Sequence, residues 1–228
     1  MRKFAVAIDG PAGAGKSTVA RRIADRIGAI YIDTGAMYRA VALWALRAGI
    51  DLDDFLRLET LAREAEIRFT PGTRQVELNG EDVTSKIRTP EVTAASSRVA
   101  AVPGVRKAMV AKQQELAAHA SVVMEGRDIG TVVLPDAKVK IFLDADPGIR
   151  ARRRADEMNA KGAPGELNEV VRDMADRDRR DSERAVSPLL QAPDALYLDS
   201  TGLSIEEVEE RILTEVRKRT SNGLEKTA

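Results

Sequence analysis

The chain has 228 residues, with 36 Lys and Arg against 36 Asp and Glu, one His and no Cys. That length suits one domain with room for an inserted subdomain, and an apolar content of 43% is a little low for a globular protein but far from a disordered one. Neutral charge argues against bulk binding of nucleic acid or polybasic membrane binding, and the missing Cys excludes disulfides, Cys-ligated zinc and a thiol nucleophile. A single His excludes any mechanism that needs two imidazoles. The cations are 26 Arg and 10 Lys, a bias that suits bidentate oxyanion binding and equally the base composition of a GC-rich gene. Position must decide which arginines matter. Met1 to Ile8 has a positive end, but its apolar run stops at Asp9, too short for a signal sequence. No apolar stretch is long enough to span a membrane. The expectation is a cytoplasmic protein, a monomer that engages neither nucleic acid nor membrane.

In chain order, Phe4 to Ile8 reads as a short strand, followed by a Gly-rich turn. Val19, Ile23 and Ile27 recur every four residues as one face of a helix, which Gly28 ends as a left-handed cap. Ala29 to Ile32 is a second strand, so the chain opens as β-α-β, the start of a parallel α/β sheet. Thr34 to Leu46 and Leu58 to Glu66 are helical. Ile67–Phe69 and Gln75–Leu78 alternate like half-exposed strands, with turn signals at Pro71-Gly72 and Asn79-Gly80, and read as a small antiparallel insertion. Residues 90 to 118 are helical with an interruption at Pro103-Gly104. Ser121–Met124 and Val139–Leu143 are buried parallel strands. Residues 148 to 160 and 166 to 184 are charged helices joined by a loop from Gly162 to Gly165. Ala195–Leu198 is the last strand. Ser204 with Glu207 forms a capping box for a final helix, and residues 221 to 228 read as a disordered tail.

Gly10-Pro11-Ala12-Gly13-Ala14-Gly15-Lys16-Ser17 matches the P-loop pattern G-x-x-x-x-G-K-[ST], with the strand before it and the helix after it that the motif requires. Its backbone N–H groups form a concavity for phosphate oxygens at a helix N-terminus. Lys16 is placed to reach the β- and γ-phosphates of ATP and Ser17 to ligate Mg²⁺. Gly10 through Thr18 are thus the candidate ATP-binding residues. A GTPase switch would carry [NT]-K-x-D, which is absent. A large ATPase would need more chain. A small-molecule kinase needs a second site facing the P-loop and a way to exclude water.

The second strand runs into Asp33-Thr34-Gly35-Ala36-Met37-Tyr38-Arg39, at the sheet edge where α/β proteins bind ligands. Asp33 is suited to hold a metal-bound water or a hydroxyl, Thr34 and Tyr38 share a helix face, and Arg39 is a candidate phosphate clamp. The strand at 121 to 124 leads into Glu125-Gly126-Arg127-Asp128. Glu125 there is a second candidate for a metal-associated acid, and Arg127 and Asp128 read as substrate recognition. Arg150, Arg153 and Arg154 share a face of one helix, while Arg177, Asp181 and Arg184 follow an i, i+4, i+7 spacing on the next. Solvated helices with internal ion pairs explain most of these charges. The same two helices and their Gly/Pro loop also describe a lid that would deliver arginine to a transferring phosphoryl group. Trp44 and Phe69 read as core, and His119 has no assigned role.

With these segments in view, the chain resembles the bacterial cytidylate (CMP) kinases, of the P-loop nucleoside monophosphate kinase group. The resemblance runs from residue 4 to about 215. It rests on Ile8 to Thr18, Asp33 to Arg39, Ile87-Arg88-Thr89, Glu125 to Thr131, Asp144-Ala145, and Arg177-Asp178 with Arg184 to Leu189. It implies an α/β fold: a parallel-sheet P-loop kinase core flanked by helices, with a small antiparallel insertion and a helical lid. It implies one domain over 1–228, with an acceptor-side insertion at 63–101 and a lid at 148–168. The implied reaction is Mg²⁺-dependent transfer of the ATP γ-phosphoryl group to CMP or dCMP, giving ADP and CDP or dCDP. Residues matching Arg39, Arg127 and Arg184 would bind the acceptor phosphate, Arg177 and Asp181 the ribose, and Ser97, Arg106 and Asp128 the base. Cytosine offers an N4 amino donor that a carboxylate accepts. The expected catalytic set is Lys16, Arg153, Arg154 and Arg184, with Mg²⁺ on Ser17 and, through water, Asp33 or Glu125. Thr34 and Glu125 stand where other members can have Ser and Asp. Both changes keep the functional group. The alternatives weighed against this are a kinase of another small acceptor such as shikimate, a regulatory ATP-binding domain, and a nucleic-acid binder.

Overall fold

The computed structural model describes residues 3–221 except 71, 161, 163 and 164. The expected tail beyond 221, Pro71 of one turn and part of the 162–165 loop lie outside the described residues.

Five strands, β1 (Ala5–Asp9), β2 (Ile30–Asp33), β6 (Val122–Gly126), β7 (Val139–Asp144) and β8 (Leu196–Asp199), form a sheet in the order β2-β6-β1-β7-β8. Every pairing in it is parallel. The chain moves from β1 outward to β2 on one side and later to β7 on the other, so β1 lies at the switch point where an α/β sheet opens a crevice at its carboxyl edge. The inner strands are apolar because both faces are covered. Val6, Ile8, Val123, Ile141 and Leu143 pack against Val19 and Ile23 of α1 (Lys16–Ile27) and Ile212 of α8 (Ile205–Ser221). Ala7, Ile32 and Met124 meet Ile129 and Val133 on the opposite face. Gly28 caps α1 in the left-handed region, and Ser204 and Glu207 exchange the two bonds of a capping box before α8.

All five strands run past the residues where sequence reading ends them, β7 by Asp144 and β8 by Asp199. β1 includes Asp9, β2 includes Asp33, and β6 includes Glu125 and Gly126. The parallel ladder carries them on, with Asp9 opposite Gly126 and Asp33 opposite Glu125. Their carboxylates therefore stand on the sheet edge itself.

A second region branches off after β2. It holds α2 (Thr34–Arg47), α3 (Phe55–Glu64), an antiparallel sheet β3-β4-β5 (Ile67–Phe69, Val76–Leu78, Glu81–Asp82), α4 (Pro90–Val99) and α5 (Pro103–His119). α3 starts earlier than its apolar pattern because Asp54 caps it through Arg57 N–H, 3.1 Å away. It stops at Glu64 because Glu66 is drawn to Asn79. Asn79 and Gly80 have φ of 51° and 82°, the two positive angles of a type I′ hairpin turn, and they add the short β5. The expected interruption is present, since α4 ends at Val99 and α5 begins at Pro103, but the proline stands on the far side of it. It opens α5 at a position where its missing N–H costs nothing, and the helix continues through Gly104. This region has its own core, with Met37, Val41, Leu58, Val76, Ile87, Val99 and Met109 buried together and Trp44 and Phe69 packed against them.

The two charged helices are α6 (Pro147–Ala160) and α7 (Leu167–Glu183). They meet over a small cluster of Ala151, Val170 and Met174. Arg184 lies just past the end of α7 in an extended conformation, so it leaves the helix on which its spacing had placed it.

Candidate active site

The carboxyl edge of the sheet gathers the site. After β1 the chain turns through Gly10, Gly13 and Gly15, whose φ values of 147°, 74° and 94° lie in the region that favours glycine. The requirement at Gly10 is also steric, since a Cβ there would stand 1.9 Å from the carbonyl oxygen of Leu143. At Gly13 it would stand 2.8 Å from the carbonyl oxygen of Arg150. The loop is thus pressed onto β7 and α6, and one of its amides, Ala12 N–H, donates to Asp178 at 3.2 Å.

Lys16, on the first turn of α1, is buried and donates to the carbonyl of Pro11 at 2.6 Å. Burial first, and then the Arg127 and Arg177 guanidinium groups, bring its ammonium down to about 7. Positive charge crowds here and would be relieved by a polyanion. Ser17 beside it is exposed and Thr18 half-buried.

Asp33 caps α2 by accepting from Ala36 N–H at 2.9 Å, and it holds Arg39 at 2.7 Å with Arg88 at 3.5 Å. Burial works to raise its carboxyl, but these two arginines outweigh it and keep it below the usual range. Thr34 donates to the carbonyl of Glu125 at 2.7 Å. Glu125 accepts from Tyr31 Oη at 2.5 Å. Burial and the charge of Asp33 push the Glu125 carboxyl up, while Lys16 and the Ser17 and Tyr31 hydroxyls pull it down. Two buried acids beside a P-loop serine fit a cation. Among the described residues there is no group of three His, Cys, Asp or Glu side chains able to hold a metal alone.

Arg127 and Asp128 do not pair with each other. Arg127 reaches Asp181 on α7 at 2.7 Å, and the buried Asp128 accepts from Arg106. Arg106 is 2% exposed and lies 5.4 Å from the ring centroid of Tyr38. Arg184 stands 3.5 Å from Asp128 and 3.8 Å from Asp181. Arg106, Asp128, Arg184, Asp181 and Arg127 are thereby linked in one charged cluster against Tyr38, with Arg177 close to Arg127, Asp181 and Arg39, while Arg39 itself pairs with Asp33 and Thr34 bonds to Glu125. Four guanidinium nitrogens here, Arg39 Nε, Arg106 Nε, Arg177 Nε and Arg184 Nη2, are buried without a hydrogen-bond partner. Burial, then Arg127, lowers Arg177 to about 10. Ser97 sits half-buried on α4.

The α6 arginines do not act as one face. Arg150 is 7% exposed and donates to the carbonyls of Ala145 and Ala12, each at 3.0 Å, while pairing with Asp178. Arg153 donates to the Ser200 carbonyl at 2.7 Å and to its hydroxyl at 3.0 Å, in the loop after β8. Arg154 pairs with Glu157 at 3.2 Å at the surface. Asp178 and Asp9 fall in segments that carry the resemblance, but sequence reading gave neither a role. Asp9 accepts from the Ile129 and Gly130 N–H groups at 2.8 and 2.7 Å and fixes the π turn (Ile129–Val133) behind Asp128. Its signal was the first acid after an apolar strand, just before the glycines. His119 is exposed and bonds only within its own helix.

A P-loop at the switch point of a parallel sheet, facing buried arginines that keep unmet donor nitrogens beside their ion pairs, defines the class: a P-loop kinase acting on a small anionic acceptor. The family model for cytidylate kinase matches residues 6–218, and the chain belongs to that family. It is 61% identical to a cytidylate kinase of Solibacter usitatus (strain Ellin6076) over 224 residues, 97% of this chain and 96% of the relative. It is 53% identical to a cytidylate kinase of Geobacillus kaustophilus (strain HTA426), over 96% of this chain and 98% of that one. Among solved structures, a gluconokinase from Sinorhizobium meliloti 1021 aligns over the whole of both chains with a TM-score of 0.50 at 14% identity, a likeness of fold alone.

Proposed function

We propose that the chain transfers the γ-phosphoryl group of ATP to CMP or dCMP, giving ADP and CDP or dCDP. The observation that carries this reading is the set of four buried guanidinium nitrogens without partners, on Arg39, Arg106, Arg177 and Arg184. Unmet buried donors are costly, and an acceptor nucleotide with its phosphate would meet them. Family membership gives the acceptor base, and the buried Asp128–Arg106 pair has the chemistry to read cytosine: an acceptor for N4 and a donor for the N3 and O2 edge. Arg39, Arg127 and Arg184 hold the acceptor phosphate, Arg177 and Asp181 the ribose, and Ser97 and Tyr38 wall the base, with Thr34 at the mouth of α2.

In the reaction an oxygen of the acceptor phosphate bonds to the γ-phosphorus as the bond to the β,γ-bridging oxygen breaks. That nucleophile is already an anion at neutral pH, so no general base is needed. Positioning and charge neutralisation carry the step. Gly10 to Thr18 cradle the donor phosphates, Lys16 neutralises them, and Arg184 with Arg153 and Arg154 surrounds the moving group. Of the two lid arginines Arg154 is the less engaged, since Arg153 is bound to Ser200. Ser17, with Asp33 or Glu125 through water, would hold Mg²⁺, which when bound supplies charge neutralisation to the phosphates. Residues 63–101 serve as the acceptor-side insertion and 148–168 as the lid, within one domain acting as a monomer.

An acceptor screen with ATP and Mg²⁺ tests this. CMP and dCMP should turn over faster than AMP, GMP, UMP or shikimate. Equal rates with AMP or UMP would overturn the specificity, and turnover of shikimate alone would overturn the class of acceptor.

A further inference from the structure

One helix touches both halves of the proposed site. On α7, Met174 and Asp178 are one turn apart and lie against the P-loop, while Arg177 and Asp181, a neighbouring stripe about 60° around the helix, belong to the arginine cluster. The contact with the P-loop is specific. Asp178 accepts from Ala12 N–H at 3.2 Å, and Arg150 donates to the Ala12 carbonyl at 3.0 Å while pairing with the same Asp178. Both polar groups of the Ala12 residue are therefore held by side chains of α6 and α7. The carbonyl oxygen of Arg150 and the Cε of Met174 press on Gly13 closely enough that a Cβ there would stand 2.8 Å from each. Ala12 also packs on the Ala151, Val170 and Met174 cluster.

We infer that Asp178 and Arg150 are positioning residues that couple the donor and acceptor sites. Neither has its charge directed at a substrate. Their pair fixes the rotation of α7 relative to the P-loop, and that rotation sets where Arg177 and Asp181 stand. A phosphate seated in the loop then favours the α7 position that binds acceptor, and by linkage the acceptor favours the donor by the same factor. This deepens the functional reading above and rests on it.

The test is a coupling factor. Binding of CMP is measured by calorimetry with and without the β,γ-methylene analogue of ATP, in the native chain and in Asp178→Asn. Asn keeps an oxygen for Ala12 N–H but cannot pair with Arg150. The native chain should bind CMP about fivefold tighter or more when the analogue is present. In Asp178→Asn that factor should fall below about twofold, with CMP affinity in the absence of analogue shifted less than about twofold. Arg150→Gln should behave alike, and it decides the matter if Asp178→Asn does not fold. Arg150→Lys, which keeps the charge, should restore part of the coupling. A native chain without coupling, variants with the native factor, or variants that lose CMP binding equally with and without analogue would each overturn the inference. If the acceptor screen selects a different monophosphate, the substrate assignment fails separately, and the same coupling measured with that acceptor still decides the role of Asp178.

Discussion

Lys16 carries less charge in the free protein than its type suggests. Its ordinary value is 10.5, and burial with the neighbouring arginines brings it to about 7. Between those two values the unfolded chain holds a proton that the folded one has released, so this group makes folding more favourable as pH rises through that window. A polyphosphate seated against Lys16 reverses the shift and must draw a proton in. At pH 8, calorimetric titrations of the ATP analogue in buffers of different ionisation enthalpy should show net proton uptake, and Lys16→Arg should show none. Uptake unchanged in Lys16→Arg would remove Lys16 as its source. Asp128 makes a second residue-level case. Asp128→Asn leaves Arg106 buried without its counter-charge and takes the acceptor from the base. The loss of a charged hydrogen bond, about 1.5–3 kcal/mol, should raise the CMP requirement about tenfold or more while the ATP requirement moves little. An unchanged CMP response in initial-rate kinetics would take Asp128 out of the base site. Lys16 and Asp128 were both legible in the sequence because each lies in a dense local motif. Asp178 was not. Its partner Ala12 is 166 residues away in the chain, and spacing along one helix carries no information about that distance.

The P-loop shows how one sequence element answers two physical demands. Gly15 needs its left-handed φ of 94°, but a Cβ at that position would meet nothing within 4 Å. Gly10 has both an unusual φ and the Leu143 carbonyl in the way. Gly15→Ala should therefore cost about 1–2 kcal/mol of backbone strain. Gly10→Ala should cost clearly more, because β7 must move. Urea unfolding of the two variants checks the order, and equal losses would show that backbone strain alone governs the loop. Element type was readable nearly throughout, since apolar periodicity separates the strands from the helices. Boundaries were not. The strands overran their last apolar residue because a parallel ladder pairs backbones regardless of side chain. Pro103 marked the interruption between α4 and α5, but not that it opens the second helix, because that use depends on what precedes it. The short β5 exists only because the Asn79-Gly80 turn folds it onto β4. The aligned spacing of Arg150, Arg153 and Arg154 was real, yet the three go to Asp178, Ser200 and Glu157, since each meets a different neighbour as α6 crosses the P-loop edge.

At the scale of the whole molecule, 36 cations and 36 anions cancel, and the arginines of the site are neutralised mostly by acids a few ångströms away. Such a protein has little far-reaching field. It should show no retention on an RNA or DNA column at about 0.15 M salt, where charges more than about 8 Å apart are screened. Steeply salt-dependent retention would contradict this. The described fold also keeps the apolar interior in separate parcels. One lies on each face of the large sheet, one lies between α6 and α7, and one belongs to α2 to α5 with the antiparallel sheet. The α2–α5 parcel supports the residues proposed to face the acceptor base, while Ala14 of the P-loop rests on the parcel of α1 and α8 and Ala12 on that of α6 and α7. Substitutions that reshape the proposed wall around Ser97, Arg106 and Tyr38 would thus be absorbed in a parcel separate from those under the P-loop. Such an arrangement lets a lineage, or an engineer, retune which base is accepted and leave the machinery that handles the phosphate donor untouched.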